Sequence, residues 1–242
     1  MPLLMLTAPI LRFSKPLSLL GLLLLLLGAC QNPSDKPANT TTIPTNDSLA
    51  QTTDTDSRAV ILCLGNSITA GYGLDPEEAF PALLQKRIDS LGLPYRVLNR
   101  GISGETTAGG KARMEWILQQ KISILLIELG GNDGLRGLSP DETRQNLIDI
   151  IQLAKAQYPQ LQVVLGGMQV PPNMGPDYAQ AFAQIYPQVA QQTGAVLIPF
   201  ILEGVGGVPE LNLPDGIHPT AEGHQLVAAT VWQALAPLLE AR

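Results

Sequence analysis

The chain has 242 residues, 45% of them hydrophobic, with 15 basic against 21 acidic side chains and a formal net charge of −6. That size suits one domain of ordinary dimensions with terminal extras. The acidic balance, with no basic stripe, excludes a nucleic-acid footprint, and 5% aromatic residues leave little for a sugar-stacking platform.

At the N-terminus Arg12 and Lys15 precede an apolar stretch, residues 17–27, which closes on Gly28-Ala29-Cys30. The stretch is shorter than the roughly 20 residues a spanning helix needs, so residues 1–30 are expected to be a cleaved signal segment. Leu27-Gly28-Ala29-Cys30 resembles the lipobox of bacterial lipoproteins, which implies that Cys30 is lipidated and becomes the mature N-terminus. Ordinary cleavage near Ala29 is the alternative. Gln31 is not an aspartate, and in a Gram-negative cell that resemblance implies sorting to the outer membrane. Residues 31–57 are Asn, Thr, Pro, Ser and Asp with scarcely an apolar side chain. Such a segment cannot offset its chain entropy by burial and is expected to be a disordered tether of roughly 27 residues. The folded domain is then residues 58–242. With Cys30 lipidated, Cys63 is the sole remaining thiol, and its place in an apolar run marks it as a small core residue.

The first strand, residues 60–64, runs into Gly65-Asn66-Ser67. A strand ending in a serine beside glycine holds a hydroxyl at the C-terminal edge of a sheet, where ligands bind in open α/β folds. Ser67 is a candidate nucleophile, which requires a base in reach and donors aimed at an oxyanion. A helix cap or turn residue is the other reading. A helix over 78–90 and a strand over 96–98 lead to Asn99-Arg100-Gly101-Ile102-Ser103-Gly104, where Gly104 lets its N–H approach a ligand with no side chain in the way. A helix over 107–119 and a strand over 122–128 lead to Gly130-Gly131-Asn132, whose side-chain amide can serve the same point. Plain strand-to-helix turns favour the same residue types.

A helix over 141–157 opens with Ser139-Pro140-Asp141-Glu142, a strong N-terminal signal. After a strand at 161–166, the loop 168–178 carries Met168 and Met174 among three prolines. It is either an adaptable apolar wall for an acyl chain or a stiff connector. A helix over 179–193, a strand over 195–198 and a glycine-rich rim at 201–208 follow. The chain holds two histidines. In Asp215-Gly216-Ile217-His218 the carboxylate can curl back to the imidazole Nδ1–H and leave Nε2 free for a serine proton. A solvated turn with a bystander histidine is the alternative. His224, early in a last helix at 221–239, reads as a helix-surface residue, and nothing near it supports a metal site. No metal or cofactor is expected.

Strand–helix alternation implies an α/β fold, a parallel sheet covered on both faces with right-handed crossovers. The serine context lacks the second glycine of the α/β-hydrolase elbow. Ser67, Gly104, Asn132 and His218 instead fall in the order and contexts of the four motif blocks of the SGNH (GDSL-type) hydrolases, which the chain resembles from residue 58 onward. The likeness is closest to the bacterial acyl-CoA thioesterase, lysophospholipase and arylesterase branch. It is carried by Ala70-Gly71-Tyr72-Gly73, by Ile102-Ser103-Gly104-Glu105-Thr106-Thr107, by Glu128-Leu129-Gly130-Gly131-Asn132-Asp133-Gly134, and by Asp215-Gly216-Ile217-His218-Pro219. The resemblance implies a flavodoxin-like three-layer α/β/α fold with five strands in the order 2-1-3-4-5. It also implies Ser67 as nucleophile, His218 as base and Asp215 as its orienter. The implied oxyanion hole is Ser67 N–H, Gly104 N–H and the Asn132 side chain. The implied activity is hydrolysis of small acyl esters or thioesters by a monomer held at a membrane by its lipid. A carbohydrate O-deacetylase and a non-catalytic binding lipoprotein are the alternatives; the low aromatic content disfavours the first, and the complete triad the second. One position departs from the family: the aspartate usual before the serine is Asn66, which keeps an acceptor oxygen but drops the charge.

Overall fold

Five short apolar strands form one parallel sheet in the computed structural model, which describes residues 57–240. The expected signal segment, Cys30 and the tether up to residue 56 lie outside the described residues. The strands are β1 (Ala59–Gly65), β2 (Tyr95–Gly101), β3 (Ile124–Glu128), β4 (Gln162–Gly166) and β5 (Val196–Ile198), in the order β2-β1-β3-β4-β5. β3 is buried at every position and β1 at all but its first. Unbroken Val, Ile and Leu runs of this kind belong to central strands covered on both faces.

The helices are α1 (Ser67–Ala70), α2 (Phe80–Ser90), α3 (Thr107–Ala112), α4 (Met114–Ile117), α5 (Gly131–Leu135), α6 (Pro140–Gln157), α7 (Pro176–Ala183), α8 (Ile185–Thr193) and α9 (Ala221–Glu240). α2 packs on α9, and α3 and α8 pack on α6, giving the two outer layers of the expected three-layer fold. Because β1 lies between β2 and β3, successive crossovers leave it in opposite directions, and a crevice opens at the C-terminal ends of β1 and β3.

The strands match the expected segments to within a few residues, while three helices differ. The helix expected over 107–119 is broken at Arg113, whose side chain turns back to Glu105 (Nε–Oε1 2.7 Å) and to Arg100 O (2.6 Å). The adjacent Gly109 and Gly110 weaken that helix further. The helix expected at 78 starts at Phe80, because Ala79 is extended and Glu78 instead caps a 3-10 turn, Pro76–Glu78. The segment expected to be helical over 179–193 is two helices meeting at Gln184, the first opening at Pro176. α6 begins as its sequence implies, with Ser139 accepting from Glu142 N–H.

One close approach sets the C-terminal edge. A Cβ on Gly101 would press into the backbone N of Ala70 and lie 2.8 Å from Asn66 O. Backbone atoms cannot rotate aside, so β2 can pack on the turn from Asn66 to Ala70 only with glycine here. Gly101→Ala should therefore destabilise the fold by about 1–3 kcal/mol, read as a lower urea midpoint at unchanged m-value.

Candidate active site

Ser67 is the first residue of α1, directly after β1, and is nearly buried. Asn66 caps this short helix, its Oδ1 accepting from Ile68 N–H at 2.9 Å. The turn closes behind it, with Gly71 in the left-handed region (φ 77°) and Tyr72 N–H donating to Ser67 O at 3.0 Å.

His218 arrives from the far end of the chain, 151 positions later, with Nε2 at 2.8 Å from Ser67 Oγ. Ser67 Oγ also lies 3.4 Å from Asn66 Oδ1, a weaker alternative for its proton. His218 Nδ1 is 2.7 Å from Asp215 Oδ2, and Asp215 Oδ1 accepts from Ile217 N–H (2.9 Å) and His218 N–H (3.0 Å). The His218 backbone N–H, then its ring, then Ile217 N–H hold the Asp215 carboxyl at about 2, below its ordinary 3.8. Gly216, at φ 71°, makes that curl possible, and Leu213 N–H bonds back to His218 O at 2.7 Å. The Tyr72 ring tilts against the imidazole with centroids 4.5 Å apart, its face available to a cation there.

Asn132 and Gly104 meet across one loop. Asn132 Nδ2 donates to Glu105 O at 2.9 Å, which leaves its second amide hydrogen for the cavity that Asn132 lines. Gly104, at φ 80°, stands on the exposed rim, its carbonyl bonded to Arg136 Nη2 at 2.9 Å. Ile102 N–H bonds to Gly65 O at 2.9 Å and ties this loop to the nucleophile turn. Among the described residues neither Ser67 N–H nor Gly104 N–H has a protein acceptor, so both donors are available to an anion.

A cavity of about 490 Å³ opens beside Ser67, Asn132 and His218. Its wall is Leu135, Met168, Val170, Pro171, Phe200 and Leu202. The loop after β4 lines this cavity through Met168, Gln169, Val170 and Pro171, while Met174 does not reach it. The rim expected at 201–208 lines it too, through Leu202, Gly206 and Gly207. Among the described residues no group of three His, Cys, Asp or Glu side chains could hold a metal ion.

The chain from residue 63 to residue 226 matches the model of the GDSL-like lipase/acylhydrolase family. The chain belongs to this family. Esterase TesA of Pseudomonas aeruginosa is 47% identical over 180 residues, 74% of this chain and 89% of the relative. The arylesterase of Vibrio mimicus is 40% identical over 176 residues, 72% and 87% of the two chains. Thioesterase 1/protease 1/lysophospholipase L1 of Escherichia coli is 38% identical over 180 residues, 74% and 84%. A solved structure of TesA superposes with a TM-score of 0.71 at 47% identity, over 74% of this chain and 99% of that one.

The family motifs left two features unread, the packing of Tyr72 and the burial of Glu128. Tyr72 lies in a quoted motif, but its packing on His218 depends on the tertiary fold. Glu128 ends an apolar strand; a charge in such a run signals a buried, partnered carboxylate, and Glu128 is fully buried. Cys63 is buried as expected, and burial, with Glu128 adding to it, pushes its thiol up to about 12.

His224 corrects the sequence reading. It is buried rather than on the helix surface, its Nδ1 accepting from Phe80 N–H at 3.1 Å and its ring stacked on Phe80. The start of α2 needs an acceptor for that buried N–H, and α9 supplies it. Burial, then the proximity of His218, lowers its pKa from 6.5 to about 4. A depressed folded-state value means that the unfolded chain takes up the proton first. The stabilisation is full above 6.5 and is lost as pH falls towards 4. His224→Leu should abolish this slope and cost about 1–3 kcal/mol at neutral pH by stranding Phe80 N–H, as read from urea midpoints at pH 7 and pH 5.

Proposed function

We propose that this protein is a lipid-anchored serine esterase that hydrolyses carboxylic esters and thioesters through an acyl-enzyme. The observation that carries the reading is the continuous chain Ser67 Oγ–His218 Nε2–Asp215 Oδ2, with separations of 2.8 and 2.7 Å, at the mouth of an apolar cavity. Three relatives named as an esterase, an arylesterase and a thioesterase/lysophospholipase support the choice of substrate class.

In this reading Ser67 Oγ attacks the acyl carbonyl and His218 Nε2 takes its proton. Asp215 holds the Nδ1–H tautomer and stabilises the imidazolium. The carbonyl oxygen becomes an oxyanion bonded by Ser67 N–H, Gly104 N–H and the free hydrogen of Asn132 Nδ2. Collapse expels the leaving group, which His218 protonates; a thiolate leaves more easily than an alkoxide and needs that proton less. Water, deprotonated by the same imidazole, then attacks the acyl-serine and regenerates Ser67. The apolar wall from Leu135 to Leu202 suits the hydrocarbon of an acyl chain, which gains about 0.8 kcal/mol per buried CH₂.

The reading extends to location and assembly. Cys30 carries the lipid, residues 31–57 space the domain from a bacterial envelope membrane, and the enzyme acts as a monomer. The lipobox-like Leu27-Gly28-Ala29-Cys30 supports the anchor. Stable anchoring takes about two membrane signals, so Cys30 is expected to carry more than one acyl chain.

Ser67→Ala and His218→Ala should each lower kcat by about 10³-fold or more, with the double variant little worse, because the pair works as a unit. Fluorophosphonate labelling should vanish with Ser67, and a folded Ser67→Ala protein of near-normal activity would remove the assignment. Asn132→Ala should cost about 10²–10³ in kcat, with a smaller change in KM. For the anchor, mass spectrometry of membrane-fraction protein should find a modified Cys30 at the N-terminus, and Cys30→Ser should release the protein or leave it unprocessed. An unmodified Cys30 in membrane-free protein would overturn the anchor and leave the hydrolase reading standing.

A further inference from the structure

Glu128 takes no part in the proton relay, yet it is fully buried beneath the nucleophile turn. It ends β3, where the sheet register sets it beside Gly65. The donors that reach it come from that turn. Oε1 accepts from Asn66 Nδ2 at 2.6 Å; Oε2 accepts from Thr69 Oγ1 at 2.8 Å and from Asn66 N–H and Thr69 N–H at 3.2 Å each. Asn66 and Thr69 stand on either side of Ser67-Ile68, so a single carboxylate grips the nucleophile from both sides.

We propose that Glu128 is the positioning residue of the nucleophile, a buried anion that sets Ser67 by holding Asn66 and Thr69, and that Asn66 keeps it an anion by presenting a donor. The proposal rests on Ser67 being the nucleophile. Its physical basis is the polarity of the Asn66 amide. Oδ1 is committed to Ile68 N–H, so Nδ2 must face Glu128. A proton on Oε1 would then meet an N–H head on, and a proton on Oε2 would require the Thr69 hydroxyl to turn from donor to acceptor. Four donors favour the ionised form, while burial opposes it.

Burial wins in part, and the carboxyl is raised from 4.5 to about 7. Its neighbours add little charge. The Cys63 thiol and the Tyr186 phenol are both pushed upward and stay neutral, Asp133 is bonded to Thr107 and Thr143, and His218 is reached only through Ser67. A raised value means that the folded state holds the proton more tightly. That stabilisation is full below 4.5 and is lost as pH rises through about 7. Ionisation therefore costs stability as pH rises through about 7, a cost that the four donors from the nucleophile turn oppose.

The test exchanges amide and carboxylate. Glu128→Gln sets a donor against Asn66 Nδ2 and should lower kcat by about 10²-fold at nearly constant KM, the scale of a misplaced reacting group. Asn66→Asp sets two carboxylates in contact; they should share one proton, so the charge beneath Ser67 stays the same. Asn66→Asp/Glu128→Gln restores the contact with its polarity reversed. The double variant should recover to within about tenfold of the wild type, far above the product of the single effects. Its acid limb should also move upward, because the charge now lies beside Ser67 and favours the imidazolium. Urea midpoints establish that each protein is folded, and fluorophosphonate labelling of wild-type Ser67 checks the nucleophile separately. A folded Glu128→Gln protein within about threefold of wild-type kcat would overturn the proposal, as would a double variant no better than the product of the singles. If Glu128→Gln does not fold, the exchange decides: a folded, active double variant supports the proposal, and an unfolded or inactive one overturns it.

Discussion

Gly65 stands opposite Gly101 in one neighbouring strand and Glu128 in the other, and the site depends on that register. It brings three chain segments, far apart in sequence, to one point on the sheet edge: the nucleophile turn after β1, the donor loop after β2 and the buried carboxylate at the end of β3. The approach is close enough that side chains are excluded. A Cβ on Gly65 would lie 2.8 Å from Glu128 Oε2, and one on Gly101 would strike the backbone of α1. A slip of one residue would turn every side chain of a strand to the opposite face and separate the three segments.

The proton relay is held differently. Asp215 and His218 lie on a loop, and that loop is fastened by its own backbone and by Asn212. Asn212 Nδ2 donates to both Val205 O and Val208 O at 2.7 Å, and Thr220 N–H bonds to Leu211 O at 2.9 Å. Asp215 is partly exposed, so little desolvation opposes its charge, and local hydrogen bonds keep it ionised. Glu128 is the reverse case, a fully buried carboxyl raised by desolvation against four donors. Two carboxylates thus serve one serine from opposite sides. One faces the imidazole that reaches Ser67 and stays charged across the working range, while the other sits where its charge is costly.

The two histidines show the same dependence on surroundings. They share a chemistry and stand six positions apart, yet one faces the nucleophile and the other caps a helix as a neutral acceptor. The difference is set by which strand edge or helix end each ring meets. Nothing in Ala221-Glu222-Gly223-His224 announces that Phe80 N–H waits across the interface, which is why the sequence placed His224 on a surface.

Much was legible in the chain itself. The alternation of apolar strands and amphipathic helices implied the α/β layers, because period and composition report local geometry and burial. Glycine, asparagine and serine after strands marked the turns, and the Asp-x-x-His spacing marked a carboxylate within reach of its imidazole. These are local facts, with partners only a few residues apart. What the tertiary structure alone decided was contact across the fold: Ser67 with His218 at 2.8 Å, Tyr72 on that imidazole, Asn66 and Thr69 on Glu128, and the burial of His224. Such contacts depend on register, crossover and helix packing, which gather residues from 59 to 151 positions apart, and no short window of sequence carries that information. The sequence by itself determined which groups were available and how each turn would hold its own residue. The packed sheet edge determined which of them meet, and so which carboxyl is charged, which imidazole is free and where the serine hydroxyl points.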